Sequence, residues 1–245
     1  MIFSLCESDI FSLWLKVIFA LRASCGIFHS VDMKYKLYIF DLDGTILDTL
    51  TDLWRAVNYT MRKFGYPTLE KNEVADRTGN GIARLVRLSL PEGVDEDTQK
   101  SALAIFKQYY VEHCDDNTKP YEHIKDVIGT LKERGAKCAV ISNKADEAVQ
   151  KLTKDYFDGS FDIVMGQKDG VRQKPYPDEA ESVLKELGVE KQDAVYIGDS
   201  EVDVQTAQNA GLDLIAVSWG FRGKARLVEC GAKVIIDTPE QILEY

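Results

Sequence analysis

Histidine is scarce in this chain. Only His29, His113 and His123 occur among 245 residues, and none lies beside an acidic motif. That argues against a histidine-based hydrolase, which needs an imidazole in reach of its nucleophile. The five cysteines, Cys6, Cys25, Cys114, Cys138 and Cys230, are scattered, odd in number and form no CxxC pair. Neither a zinc site nor a disulfide framework is indicated. The set suits a reducing, cytoplasmic compartment, with Cys138 a small core residue in a strand-like run. No GxxxxGK[ST] loop and no dinucleotide glycine fingerprint follows a strand, and there is no internal repeat or low-complexity tract. Positive charge is in the minority, with 30 Lys and Arg against 40 Asp and Glu and a net charge of −10. No nucleic-acid partner is expected, because a broad nucleic-acid surface needs clustered cations. A phosphate substrate stays open, since a few local cations or a bound metal reverse the field.

A long uninterrupted apolar run is also missing. Residues 10–28 are mostly apolar, but Lys16 and Arg22 break them up, and a spanning helix wants about 20 predominantly apolar residues. The start carries Glu7 and Asp9 with no basic residue before Lys16, unlike a secretory signal. The preferred expectation is that the folded domain begins near Met33, with residues 1–32 an extension of uncertain order. An amphipathic or core-packing helix and a membrane or targeting role are the alternatives. No membrane partner is expected.

What is present is a soluble-type composition, 45% hydrophobic and 29% charged, long enough to bury a substantial core. From residue 124 strands and helices alternate. Strands are expected at 138–141, 161–165, 194–197, 214–217 and 233–236, and helices at 124–134, 146–156, 178–187, 201–210 and from Pro239. Such alternation implies a parallel sheet with helices on both faces. Residues 53–64, 72–78, 82–90 and 97–112 read as helices with no strand among them, a helical block inserted after the first strand.

That first strand is the most informative stretch. Leu37-Tyr38-Ile39-Phe40 runs into Asp41-Leu42-Asp43-Gly44-Thr45, delivering two carboxylates to a strand's C-terminal edge, where open α/β sheets build their sites. Carboxylates this close need a cation or a shared proton. An EF-hand loop is excluded, because Thr45 and Ile46 stand where it needs an acidic or amide residue and a glycine. Three further groups follow later strands: Ser142-Asn143-Lys144, Lys174-Pro175-Tyr176-Pro177, and Gly198-Asp199 through Asp203. In a parallel sheet all four converge. Asp41 is a candidate carboxylate nucleophile and Asp43 a candidate general acid and base. Asp199, supported by Asp203, completes with Asp41 and Asp43 a hard oxygen site suited to Mg²⁺. Ser142 and Asn143 offer hydrogen bonds to phosphate oxygens, Lys174 offers a point charge, and Thr45 can contact phosphate or orient Asp43.

This ordered set resembles the haloacid dehalogenase superfamily of phosphotransferases over roughly residues 36–245, and within it most resembles phosphoglycolate phosphatases. Asp41-Leu42-Asp43-Gly44-Thr45 looks like the first motif, Ser142 the second, Lys174 the third, and Asp199 with Asp203 the fourth. The resemblance implies an α/β, Rossmann-like sheet of order 3-2-1-4-5 with an inserted helical cap: core 33–49 and 119–245, cap 50–118. It also implies Mg²⁺-dependent hydrolysis of a small phosphorylated metabolite through an aspartyl phosphate. Asp43 fits a phosphatase or phosphomutase, since dehalogenases proper lack that acid. The segment Thr78-Gly79-Asn80-Gly81 is similar to the cap of that subfamily, making Arg77, Asn80 and Arg84 candidate substrate contacts. The rivals are a phosphomutase of the β-phosphoglucomutase type, a pyrophosphate or nucleotide phosphatase, and a non-catalytic binding protein. Both a monomer and a homodimer are compatible with the sequence.

Overall fold

Strand β1 (Leu37–Phe40) is buried along its whole length, as expected of a central parallel strand covered on both faces. It pairs in parallel with β4 (Lys137–Ala145) on one side and β6 (Ala194–Gly198) on the other. Beyond β4 lies β5 (Ile163–Gln167); beyond β6 lie β7 (Asp213–Val217) and the two-residue β8 (Ile235–Ile236). Numbering the core strands along the chain, the order is 3-2-1-4-5 with the short sixth strand at the edge. The structure, a computed structural model, describes residues 33–168 and 170–245; the expectations for residues 1–32 lie outside them.

Period-two alternation assigns the two faces. Leu37, Ile39, Ala139, Ile141 and Tyr196 pack with Ala180 and Val183 of α7 (Asp178–Leu187) and Ala207 and Ala210 of α8 (Glu201–Ala210). On the opposite side Phe40 meets Phe161, which meets Phe157 at the end of α6 (Asp146–Phe157). Helix α5 (Ile124–Glu133) buries Ile124, Val127, Ile128 and Leu131, the spacing its sequence shows.

Between the first two core strands stand the cap helices: α1 (Leu50–Lys63), α2 (Lys71–Arg77), α3 (Ile82–Ser89) and α4 (Glu96–His113). They enclose their own core of Leu53, Val57, Met61, Val74, Leu85, Val86 and Phe106. The chain enters and leaves the cap through a two-stranded antiparallel ribbon, β2 (Leu47–Asp48) against β3 (Lys119–Pro120). Buried Asp52 secures the exit, accepting hydrogen bonds from the backbone and side chains of Asn117 and Thr118 at 2.7–2.9 Å. The ribbon carries no sequence periodicity because each strand is two residues long and is defined only by its distant partner.

Three local differences from the sequence expectation have physical causes. The third core strand begins at Ile163, because Phe161 turns its ring into the aromatic cluster and Asp162 caps the Cys138 amide and pairs with Lys132. The C-terminal helix is a 3₁₀ helix, Pro239–Glu244, a form confined to short pieces such as this. Helix α9 (Gly223–Glu229) was not expected; only Leu227 in it is buried, so it lacks a strong amphipathic signal.

Candidate active site

Asp41 is the first residue past β1, its amide still paired with Ile197 O at 2.9 Å. The chain then turns tightly: Leu42 O accepts the amides of Thr45, Ile46 and Leu47, and Gly44 adopts φ +84°. A Cβ on Gly44 would lie 2.4 Å from Asp199 Oδ2. Glycine here therefore serves both the turn and the approach of the loop to Asp199. Asp199 follows β6, next to β1, so adjacent strand ends bring the two carboxylates together.

Asp41, Asp199 and Asp203 each offer a carboxylate oxygen within 4.8 Å of the others, and all three are buried. Lys174 lies between two of them, 2.9 Å from Asp41 Oδ1 and 2.8 Å from Asp203 Oδ1. Burial alone would lower the lysine's pKa, but Asp203 and Asp41 hold it well above the ordinary value. Asp203 also forms a capping box with Ser200 at the start of α8, so both its oxygens are engaged. Asp41 Oδ1 accepts from the Leu42 amide and Lys174, and Asp199 Oδ2 accepts from the Phe221 amide at 2.6 Å.

Burial pushes the Asp41 carboxyl up to about 7; Asp203 and Asp43 add repulsion and Lys174 opposes it. Asp199 is pushed well up by burial, with repulsion from Asp203 and Asp41 added. Ionised, these three carboxylates against one ammonium leave two negative charges uncompensated. A divalent, oxygen-seeking cation matches both the donor set and that charge. The residues therefore fit Mg²⁺, with Asp41 and Asp199 the freest to hold it.

Strand β4 supplies the next group through an irregularity. Ser142 pairs with Gly166 and Ala145 with Gln167, so Asn143 and Lys144 are extra on the β4 side. Bulges of this kind re-aim side chains beside active sites. Gly166 permits it, since a Cβ there would meet Asp146 Cα at 2.5 Å and Lys144 O at 2.8 Å. Ser142 and Asn143 line the cavity, and Asn143 Nδ2 donates to Gly79 O of the cap and to Lys174 O. Lys144 binds both oxygens of Asp43 at 2.7 and 3.0 Å, and Thr49 Oγ1 donates to Asp43 Oδ1 at 2.6 Å. Asp43 thus lines the cavity but stands apart from the acidic cluster.

The cap closes over these groups. Leu53, Thr78, Gly79, Gly81, Ile82 and Leu85 face the acidic floor, and the space left is about 40 Å³, room for a few waters.

A family profile described as haloacid dehalogenase-like hydrolase matches residues 38–217. The chain belongs to this family. Among relatives of this haloacid dehalogenase-like chain, phosphoglycolate phosphatase 1 of Pseudomonas aeruginosa is 33% identical over 215 residues, covering 85% of this chain and 78% of its own. Pyrophosphatase PpaX of Bacillus cereus is 28% identical over 217 residues, covering 86% and 96%. The crystal structure of a candidate phosphoglycolate phosphatase from Lactobacillus delbrueckii subsp. bulgaricus superposes with a TM-score of 0.83 at 41% identity, covering 86% of this chain and 98% of that one.

The remaining expected site residues fall elsewhere. Thr45 is fully buried with Oγ1 unpartnered, and its carbonyl accepts from Trp219 Nε1; it does not line the cavity. Asn80 and Arg84 line an outer groove between α3, α4 and the core, outside the inner cavity. Arg77 pairs with Glu73 of its own helix at 3.5 Å. The sequence reading names Lys144 in the Ser142-Asn143-Lys144 group without giving it a role, and does not include Phe221 or Arg222. Lys144 directly follows Ser142-Asn143. Phe221 and Arg222 follow the fifth core strand at the same sheet edge, where the rule that located the other groups also applies. Among the described residues no helix is long and apolar enough to cross a membrane.

Proposed function

We propose that this haloacid dehalogenase-like protein is a Mg²⁺-dependent phosphatase that hydrolyses a small phosphomonoester resembling 2-phosphoglycolate through an aspartyl-phosphate intermediate. The observation that carries this reading is the buried Asp41, held by Lys174 beside Asp199 at the floor of a cap-covered cavity. Asp41 attacks phosphorus, and the bond to the ester oxygen breaks as Asp43 protonates the departing alkoxide. Asp43 then takes a proton from water, which attacks phosphorus and releases Asp41 and inorganic phosphate. Lys174 offsets charge on the phosphoryl oxygens, and Ser142 stands where it can donate to them, the Asn143 side-chain donors being taken by Gly79 O and Lys174 O. When bound, Mg²⁺ would supply further counter-charge, held by Asp41 and Asp199 with Asp203 in support. Lys144 and Thr49 orient Asp43. The cap limits access of bulk water and opens for exchange.

The free cysteines Cys114, Cys138 and Cys230 accord with a reducing, cytoplasmic setting. The likeness to pyrophosphatase PpaX favours pyrophosphate as the second reading. Assays of the full chain with 2-phosphoglycolate, pyrophosphate and p-nitrophenyl phosphate, with Mg²⁺ and with EDTA, decide between them. Mg²⁺-dependent turnover highest on 2-phosphoglycolate is expected, and Asp41→Asn should abolish it with the fold intact. Appreciable activity in that variant would remove Asp41 as nucleophile.

A further inference from the structure

Four consecutive residues after β7 reach the turn that follows Asp41, the Asp199 carboxylate and the cap. Trp219 Nε1 donates to Thr45 O at 3.1 Å, reaching the turn that follows Asp41. Gly220 packs so closely that a Cβ would lie 2.2 Å from Asp199 Cβ and 2.4 Å from Gly44 O. The Phe221 amide fixes Asp199 Oδ2. Arg222 then leaves the core altogether and grips the cap.

The Arg222 side chain is only 5% exposed, and its hydrogen bonds account for the whole guanidinium. Nε donates to Glu201 Oε2 at 2.8 Å and Nη2 to Glu201 Oε1 at 3.4 Å, both on the core. On the cap, Nη2 donates to Thr78 O at 2.7 Å, and Nη1 donates to Thr78 Oγ1 at 3.4 Å and to Ala75 O. A guanidinium has five N–H donors, and all five are engaged: two by the core and three by the cap. None is left for a substrate anion, so the group bridges rather than binds. Its cap acceptors cluster at the C-terminal end of α2, where the helix dipole favours a cation; Ala75 O also accepts from the Thr78 amide and hydroxyl. From the other side Asn143 Nδ2 holds Gly79 O at 2.9 Å. The Thr78-Gly79 link is thus clasped between two core side chains, and the next residues, Gly81, Ile82 and Leu85, form the cavity's cap wall.

We propose that Arg222, braced by Glu201, is a positioning residue that latches the cap shut over the acidic centre, and that the 219–222 loop couples closure to the placement of Asp199. Opening the cap removes three of the five acceptors at once while Glu201 retains the guanidinium at the core. Closed and open states therefore differ by three guanidinium hydrogen bonds exchanged for bonds to water, together able to shift the equilibrium about 10- to 100-fold. The catalytic consequence rests on the phosphatase reading; the latch itself does not.

The test is amide hydrogen exchange on the full chain, comparing wild type with Arg222→Ala, Arg222→Lys and Glu201→Gln, alongside Mg²⁺-dependent kinetics and melting temperature. Exchange in residues 78–85 is expected to rise about 10- to 100-fold in Arg222→Ala, with the cap interior at 53–61 unchanged. Arg222→Lys and Glu201→Gln should fall between, since lysine keeps the charge but not the fork. kcat/KM should fall by a similar factor, mainly through kcat, because substrate enters the open form and reacts in the closed one. Unchanged exchange at 78–85 in all three variants overturns the latch. So does a uniform rise across the cap with a lowered melting temperature, which would make Arg222 merely structural. A wild type inert towards every phosphate ester would sink the phosphatase reading, while the exchange result would still decide the latch.

Discussion

Glu179 shows how a single residue can weigh against the fold that contains it. It sits in the first turn of α7, 6% exposed, with Oε2 lacking any hydrogen-bond partner. Burial pushes its carboxyl up from 4.5 to about 7, with Lys174 and Lys168 opposing and Asp146 and Asp178 reinforcing. Below its ordinary value the group is neutral in both folded and unfolded chains and costs nothing. As pH rises from about 4.5 to 7 the unfolded chain ionises first, so stability is lost across that window and stays lost above it. Glu179→Gln should therefore raise the melting temperature more at pH 8 than at pH 5. An equal shift at both pH values would show that the carboxyl titrates normally. Buried Asp41 carries the same kind of cost, but there Lys174 opposes it. The residue types of Asp41 and Asp43 were legible because two acids past an apolar strand have few purely structural uses. The partner of Asp43 was not, because a lysine after Ser142-Asn143 looks like any loop lysine until the bulge turns it inward.

At the scale of elements, the β4 bulge does most to assemble the site. Two extra residues opposite the Gly166–Gln167 step place Asn143 towards the cap and Lys144 towards Asp43. The register depends on Gly166, whose missing Cβ makes room for the Lys144 and Asp146 backbone. Gly166→Ala should lower stability by about 1–3 kcal/mol and reduce kcat by disturbing the Lys144–Asp43 pair, although residue 166 is on a neighbouring strand and does not line the cavity. Wild-type kinetics and melting in that variant would mean the bulge tolerates a methyl group. The alternating strands and helices from residue 124 onward followed from short apolar runs and helical spacing. The bulge, the β2–β3 ribbon and α9 did not, because short pairings and weakly amphipathic turns are specified by distant partners and leave little trace in local pattern.

At the largest scale, the described residues form a core and a cap meeting over an excess of buried negative charge. A ligand that binds only the folded state stabilises it by mass action, by about 2.7 kcal/mol at a hundredfold excess over its dissociation constant. Saturating Mg²⁺ should therefore raise the melting temperature by several degrees for a chain of this size, and Asp199→Asn should abolish the increment. A full increment in that variant would move the metal elsewhere. The cap has its own apolar core and joins the rest of the chain through the β2–β3 ribbon, the arrangement the proposed latch requires.

The order of strands and helices implied the parallel sheet and the inserted helical block, the resemblance of the motifs implied the family, and the same motifs singled out Asp41, Asp43, Ser142, Lys174 and Asp199 as candidates. These are local facts: a strand ends, a carboxylate follows, and the sheet's edge rule brings the ends together. Contacts between distant segments came from the fold. Asp43 meets Lys144 across two strand ends, Asp203 is occupied by Lys174 and Ser200, Asn80 and Arg84 face the outer groove, and Arg222 spans core and cap. Each depends on where the backbone carries a side chain after a turn or bulge, and that direction is set by packing against residues far away in the chain.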